Sequence, residues 1–309
     1  MLETFSINFM VWRKLFLTLS LLLMIASIAV LGVRGLNFGV DFRGGTSLVV
    51  SDSTAIDIAD WRGRIAPLAL GEVTIQNFGG EDAALIRVQR QPGDETEQLG
   101  AVERIRDVLP ETISVDQIEF VGPTVGEELL RAGIIAVALS LIAVSAYIWI
   151  RFEWRYSVAT LTALAHDIIS TIGLFALSGF EFSLATVAAL MTIAGYSIND
   201  TVVVFDRVRE NRRKYKKGTL IEIINRSLND TLARTVVTSL TTLLALLALV
   251  TFGGPIVRNF SWALIWGVLI GTYSSLLVAA PVLLWIEGGE DTPRGKSEES
   301  APAKDTPSR

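Results

Sequence analysis

No cysteine occurs anywhere in the 309 residues, which excludes disulfides, thiolate metal sites and cysteine nucleophiles together. Histidine is nearly as scarce, with His166 the single example. One imidazole cannot complete an HExxH zinc site, and the last apolar run, residues 260–286, holds no acid for a paired-aspartate centre. An intramembrane protease therefore has no constellation to work with. Neither a metal, nor a bound cofactor, nor an enzymatic centre is expected. Charge is thin as well, at 19% of residues, and it gathers in blocks; between the blocks the chain is apolar, with 50% hydrophobic residues.

Six apolar runs are long enough to cross a hydrocarbon core of about 30 Å: residues 15–33, 129–150, 157–178, 182–205, 231–253 and 260–286. The first follows Arg13 and Lys14 but exceeds the apolar stretch of about 7–15 residues in a signal peptide, so it reads as an uncleaved span. The expected class is a polytopic α-helical membrane protein with six transmembrane helices. If the spans alternate, Arg13, Lys14, Arg151, Arg155 and the cluster Arg207, Arg209, Arg212, Arg213, Lys214, Lys216 and Lys217 share one side. By the positive-inside rule that side is the cytoplasm and both termini lie there. The basic cluster lacks interleaved stacking aromatics, and orientation accounts for its charge, so no nucleic-acid partner is expected.

The long segment 34–128 then lies outside, with 17 acidic against 8 basic residues. Its pattern predicts strands at 46–50, 73–78, 84–90 and 112–121 and helices at 55–68 and 95–109. Leu85, Arg87 and Gln89 alternate with Ile86 and Val88 as in a half-buried strand, while Ile56, Ala59, Ile65 and Leu68 share a helical face. Gly79 and Gly80 supply a hairpin turn. The order βαββαβ is the split ferredoxin-like unit, giving a small α+β domain between helices one and two. Four regions follow: 1–33 with the first span, the outer domain 34–128, spans two to six over 129–286, and a tail from 287 to 309 whose Pro, Ser, Lys and Glu content predicts disorder.

Two segments join the outer domain to the membrane. Gly39, Asp41, Phe42, Arg43, Gly44 and Gly45 form the exit from span one, with glycines that permit tight turns. The return carries Gly122, Pro123 and Gly126, expected to end the last strand before span two. Both read either as plain connectors or as hinges.

Within the membrane, Asp200 lies six residues before Asp206, about 9 Å inside the boundary at 1.5 Å per residue. An unpaired ionisable group in a span costs several kcal/mol and usually marks an ion or substrate path. In span five Arg234, Thr238, Thr241 and Thr242 follow helical spacing, widened by Thr235 and Ser239, and this polar stripe is expected to face other helices. Asp200 and Arg234 match in depth. A carboxylate beside an arginine stays ionised and one removed from it takes up a proton, so the pair reads either as a proton gate or as a static salt bridge. Asp167, beside His166 midway along span three, ranks lower, because neighbours in a helix point about 100° apart and need not meet. Asn199 and Thr238 are lesser candidates for the same path. Gly267, Gly271 and Ser275 form a small-residue stripe suited to helix packing.

GVDFRGG, FVGPTVGEEL, ALAHDIISTIG, GYSINDTVVVFDRVREN and SLNDTLARTVVTSLTT, in this order and on these elements, resemble the SecD/SecF family of protein translocase subunits within the resistance-nodulation-division superfamily. The resemblance covers about residues 5–287. It implies an inner-membrane accessory factor of the SecF type that works with SecD, uses the proton motive force to help draw preproteins through SecYEG, and associates with YajC. Protons would be its coupling ion, with Asp200 and Arg234 at the positions the family uses for conduction. The outer domain would be periplasmic. The alternative is half of a small-molecule or lipid exporter of the same superfamily, which normally carries larger outer domains.

Overall fold

In the computed structural model the described residues are 7–288 except 79, 94, 217, 253 and 254. Gly79 of the expected hairpin turn, Lys217, the end of the fifth run at 253 and the tail beyond 288 lie outside them.

Among the described residues six helices are long and apolar enough to cross a membrane. They are α1 (Arg13–Arg34), α5 (Pro123–Arg151), α6 (Trp154–Ser178), α7 (Leu184–Lys214), α8 (Leu220–Phe252) and α9 (Pro255–Ser274), the last continuing through a π-helical turn, Ser275–Ala279, into α10 (Ala280–Ile286). The π turn lies directly ahead of Pro281, whose missing N–H breaks the regular i to i−4 ladder. The best span windows of α6 and of α9 with α10 are 61% and 67% buried, against 11% for α1 and α5 and 17% for α8. The third and sixth spans therefore form the centre of the bundle. Small residues make that centre possible: a Cβ on Gly173 would lie 2.3 Å from Cβ of Ser27, and one on Gly267 would lie 2.2 Å from Ile193. The Gly267, Gly271, Ser275 stripe thus packs the sixth span onto α7, as its spacing indicates.

Helices α7 and α8 run well past the apolar segments. The expected fifth run begins at 231, whereas α8 begins at Leu220. Hydropathy falls where Arg226, Asp230 and the basic cluster begin, but helical propensity does not. The extension buries Ile223, Ile224 and Leu228, and Ile224 and Leu228 belong to one apolar cluster with Val208 and Tyr156. Arg207 pairs there with Glu210 at 2.7 Å and Asp230 at 3.0 Å.

The outer domain has the expected order of elements: β2 (Gly45–Ser51), α3 (Ile58–Ile65), β3 (Val73–Asn77), β4 (Ala83–Gln89), α4 (Glu95–Val108) and β5 (Ser114–Val121). The sheet order is β3-β4-β2-β5 with every neighbour antiparallel. Helices α3 and α4 cover one face, burying Leu48, Val50, Trp61, Ile65, Ile86, Val88 and Ile105. Helix α3 starts at 58 rather than 55 because Asp57 caps it, accepting from the N–H groups of Ala59 and Asp60. That phase sets Trp61 and Ile65 into the core and leaves Ala59 exposed, contrary to the expected face.

Two connections differ from expectation. The return segment does not end a strand with Pro123 and Gly126: Gly122 is the cap, Pro123 opens α5, and Gly126 lies within that helix. Phe182, expected to begin the fourth span, sits instead in a two-residue strand β6 (Glu181–Phe182), parallel to β1 (Asn37–Phe38).

Candidate functional site

Asp200 is 2% exposed on α7, and its Oδ2 has no hydrogen-bond partner among the described residues. Arg234 stands on the neighbouring α8, which packs against α7, and the two side chains form no ion pair. Arg234 is exposed, as are Asn199 and Thr241, while Thr238 is half-buried and donates to the carbonyl of Thr235. The polar stripe of α8 therefore divides. Thr235 and Ser239 are buried, and Ser239 bonds Thr272 of the sixth span at 2.6 Å and accepts from the Tyr196 hydroxyl at 3.2 Å. Arg234 and Thr241, expected to face other helices, are exposed in this chain.

The outward faces of α7 and α8 mix small and polar residues with large apolar ones. On α7 the exposed line includes Ala188, Thr192, Gly195 and Asn199, and on α8 it includes Arg234, Thr241, Ala245 and Ala248. Small and polar residues at helical spacing let another helix approach closely. Helix α8 also exposes Val236, Val237, Leu240, Leu244 and Leu247, as α1 and α5 expose Leu19, Leu22, Ile25, Ile134, Leu139 and Ile142, side chains suited to acyl chains.

Asp167 occupies the opposite environment. It is fully buried, its Oδ2 accepts from Ser197 Oγ at 2.6 Å and Ser274 Oγ at 2.8 Å, and its Oδ1 meets His166 Nδ1 at 3.0 Å. Adjacent residues of α6 thus do meet, because side-chain torsions carry both groups to one side. Around them Thr201 and Ser275 bond at 2.8 Å, and Tyr273 bridges to Ser20 and to the carbonyl of Phe16 on α1. His166 Nε2 has no partner among the described residues. The sequence reading missed Ser197 and Ser274, since a lone serine in an apolar helix carries no signal until its neighbour is known.

At the domain junction, Val40–Arg43 forms a single helical turn, α2, between Gly39 and Gly44. Gly44 and Gly45 have φ of 72° and 137°, conformations that favour glycine. Asp41 Oδ2 accepts from the N–H of Leu184, the first residue of α7, at 2.8 Å. Arg87 of β4 pairs with Glu181, with side-chain exposures of 21% and 12%. A Cβ on Gly126 would lie 2.8 Å from the carbonyl oxygen of Phe42, so the return helix packs directly on the exit turn. Among the described residues no group of acids and histidines could hold a metal ion.

Comparison with known proteins adds a family to this geometry. Residues 102–289 match the model for the protein export membrane protein SecD/SecF, C-terminal, and residues 29–51 match the SecD/SecF GG motif. The chain is 43% identical over 282 residues to the protein translocase subunit SecF of Rickettsia rickettsii, covering 89% of this chain and 90% of that one. Against the SecF subunit of Rhodobacter capsulatus it is 41% identical over 313 residues, covering 96% and 93%. Among solved structures it is similar to SecDF, a translocon-associated membrane protein from Thermus thermophilus, with TM-score 0.83 at 36% identity over 93% of this chain. SecDF in its super-membrane-facing form gives 0.67 at the same identity over 91%. The chain spans about 40% of those longer SecDF chains.

Proposed function

The chain belongs to the SecD/SecF family of protein-export membrane proteins, and from that premise we propose that it is the SecF-type accessory subunit of the Sec export machinery, non-enzymatic, with protons as its coupling ion. It spans the inner membrane with both termini in the cytoplasm and its ferredoxin-like domain in the periplasm. SecD is its heteromeric partner, and the pair acts on preproteins leaving SecYEG, together with YajC. The charge asymmetry of the loops supports this orientation.

The observation that carries the reading is Asp200: a buried carboxyl with an unpartnered oxygen, next to a helix whose arginine faces outward. An orphaned acid in a span is expensive, and its most direct use is to take up and release a proton. Bringing Asp200 toward Arg234 favours the ionised carboxylate, and separating them favours the protonated acid. The gate then needs only relative movement of α7 and α8. The exposed small and polar lines on these helices support SecD as the cover of those lines, because small residues let another helix approach closely. The fusion of both halves in SecDF supports the same pairing.

The test is protein export with and without a proton gradient, normalised to assembled complex, for Asp200→Asn, Arg234→Met and the double variant. Proton gating predicts that each variant assembles and loses gradient-dependent export. Full gradient-dependent export by the double variant would eliminate the role.

A further inference from the structure

We infer that Asp41 and the Arg87–Glu181 pair form a rigid clasp that makes the outer domain and the outer end of α7 one body, so that displacement of the domain moves Asp200 against Arg234. The consequence for Asp200 rests on the proton-gating reading; the clasp itself does not.

Five features converge on the short connection between α6 and α7. Strands β1 and β6 pair in parallel, aligning Asn37 with Glu181 and Phe38 with Phe182. The N–H of Gly39 continues the ladder by donating to the carbonyl of Phe182 at 2.9 Å. Behind them Phe38, Phe42, Phe175 and Phe182 pack with ring centroids 5.9–6.0 Å apart, joining the exit turn, the end of α6 and the start of α7. Asp41 places a carboxylate on the first N–H of a 31-residue helix, where both the free donor and the helix dipole favour negative charge. Finally, Arg87 reaches from the centre of the outer sheet to Glu181. A Cβ on Gly39 would lie 2.3 Å from Glu181 Oε1, so only glycine lets the carboxylate sit there.

The position of the ion pair explains why a charge pair is used. The face of the sheet away from α3 and α4 is largely polar, with Ser47, Gln76, Arg87, Gln117 and Glu119 beside Val49 and Leu85; a cavity of about 240 Å³ separates it from the starts of the membrane helices and a cleft of about 680 Å³ from the junction segments. Val40, Gln76, Arg87 and Glu181 line both. The pair is thus a pillar between two hollow spaces, holding the sheet to the connection beside the aromatic cluster. Directional contacts add to apolar packing there. Because α7 is a continuous helix from Leu184 to Lys214, a displacement applied at its first turn is delivered to Asp200 without an intervening loop.

Asp41 is on this reading a positioning residue, acting on Asp200 through α7. Two measurements on the full complex separate the clasp from the gate. The first is the distance distribution between spin labels at Arg104→Cys on α4 and Glu210→Cys on α7, in a chain that has no native cysteine. It is expected to be narrow in the otherwise unchanged protein and broad in Asp41→Ala/Glu181→Gln. Equal widths would overturn the clasp, whatever Asp200 does. The second uses Asn37→Cys/Glu181→Cys in the Asp41→Ala background. Residues paired across neighbouring strands fall within the Cα separation a disulfide accepts, about 4.4–6.8 Å. Reduced, this variant is expected to lose gradient-dependent export at least fivefold per assembled complex; oxidised, it is expected to recover at least half. No loss on reduction, or no recovery on oxidation, would overturn the coupling. Asp200→Asn run in parallel reports on the gate alone, since a variant that exports normally sinks the proton reading and leaves the spin-label result to decide the clasp.

Discussion

Asp167 and Asp200 are both buried acids in membrane-spanning helices, and they differ in every other respect. Asp167 stands on the central α6, with three hydrogen-bond donors or ring nitrogens around its two oxygens. Asp200 stands on α7, with an unpartnered oxygen and an arginine-bearing helix alongside that is itself only lightly covered. A satisfied acid holds helices together, because its partners come from α7 and α9 and removing it orphans them. An unsatisfied one is a cost that persists only if something is gained elsewhere, which on the proposed function is the ability to change protonation state. The sequence ranks Asp200 above Asp167 but does not show what either one touches. Their neighbours separate a structural hub from the site proposed for proton transfer.

The widest separation is expected from the replacement of each acid by its amide. Asp200→Asn should abolish gradient-dependent export, a loss of tenfold or more, with unchanged abundance of the complex, because no hydrogen bond to a described side chain is lost. Measurable gradient-dependent export at normal abundance would break the contrast.

Asp167→Leu should do the reverse and reduce the amount of folded protein, because the hydroxyls of Ser197 and Ser274 and the ring of His166 lose their acceptor. Each orphaned group costs on the order of 1 kcal/mol. Thermal aggregation in detergent is the measurement, with Asp167→Asn retaining much of the stability through its remaining acceptor oxygen. An Asp167→Leu protein as stable as its parent would remove the hub.

A smaller effect sharpens the packing side of the comparison. Gly267→Ala places a Cβ 2.2 Å from Ile193, forcing the sixth span away from α7, and should lower stability by about 1–3 kcal/mol. Pairing it with Ile193→Ala should recover part of that loss. Additive losses in the double variant would show that the two helices do not meet there.

The smallest expected effect concerns a third carboxyl, outside the spans. Burial raises the pKa of Glu181 above that of an ordinary glutamate, Arg87 opposes the shift, and the Asp41 charge adds to it. A folded pKa above the unfolded one means that its stability contribution is full in acid and is lost as pH rises through the folded value. The carboxylate infrared band that disappears in Glu181→Gln should therefore titrate above the ordinary glutamate range, and Asp41→Asn should lower its midpoint. A midpoint at or below the ordinary value would contradict the burial.

Much of the fold was legible because hydropathy and strand alternation are local signals. The six spans, the βαββαβ order and the small-residue packing stripe each rest on periodicities a short window contains. The ends of α7 and α8 were not legible, since charge hides helical continuation outside the membrane, nor was α3's phase before its aspartate cap was counted. Asp200 and Arg234 could be selected from sequence because unpaired charge in an apolar run is rare. Ser197, Ser274, Glu181 and Arg87 could not, as a serine or a loop glutamate gains meaning only from what lies across from it.

By itself the sequence determined that this protein spans a membrane six times, carries one small α+β domain between the first two spans, and holds two acids where acids are costly. Free energies of transfer and 2.0 or 3.6 residue periods are properties of the chain segment, so no partner segment is needed to read them. Only the tertiary structure decided which acid is satisfied, which faces of α7 and α8 remain uncovered, and where Asp41 and Arg87 meet the start of the fourth span. Those facts depend on residues up to 143 positions apart being brought within hydrogen-bonding distance, which is fixed by packing and by no property of either residue alone.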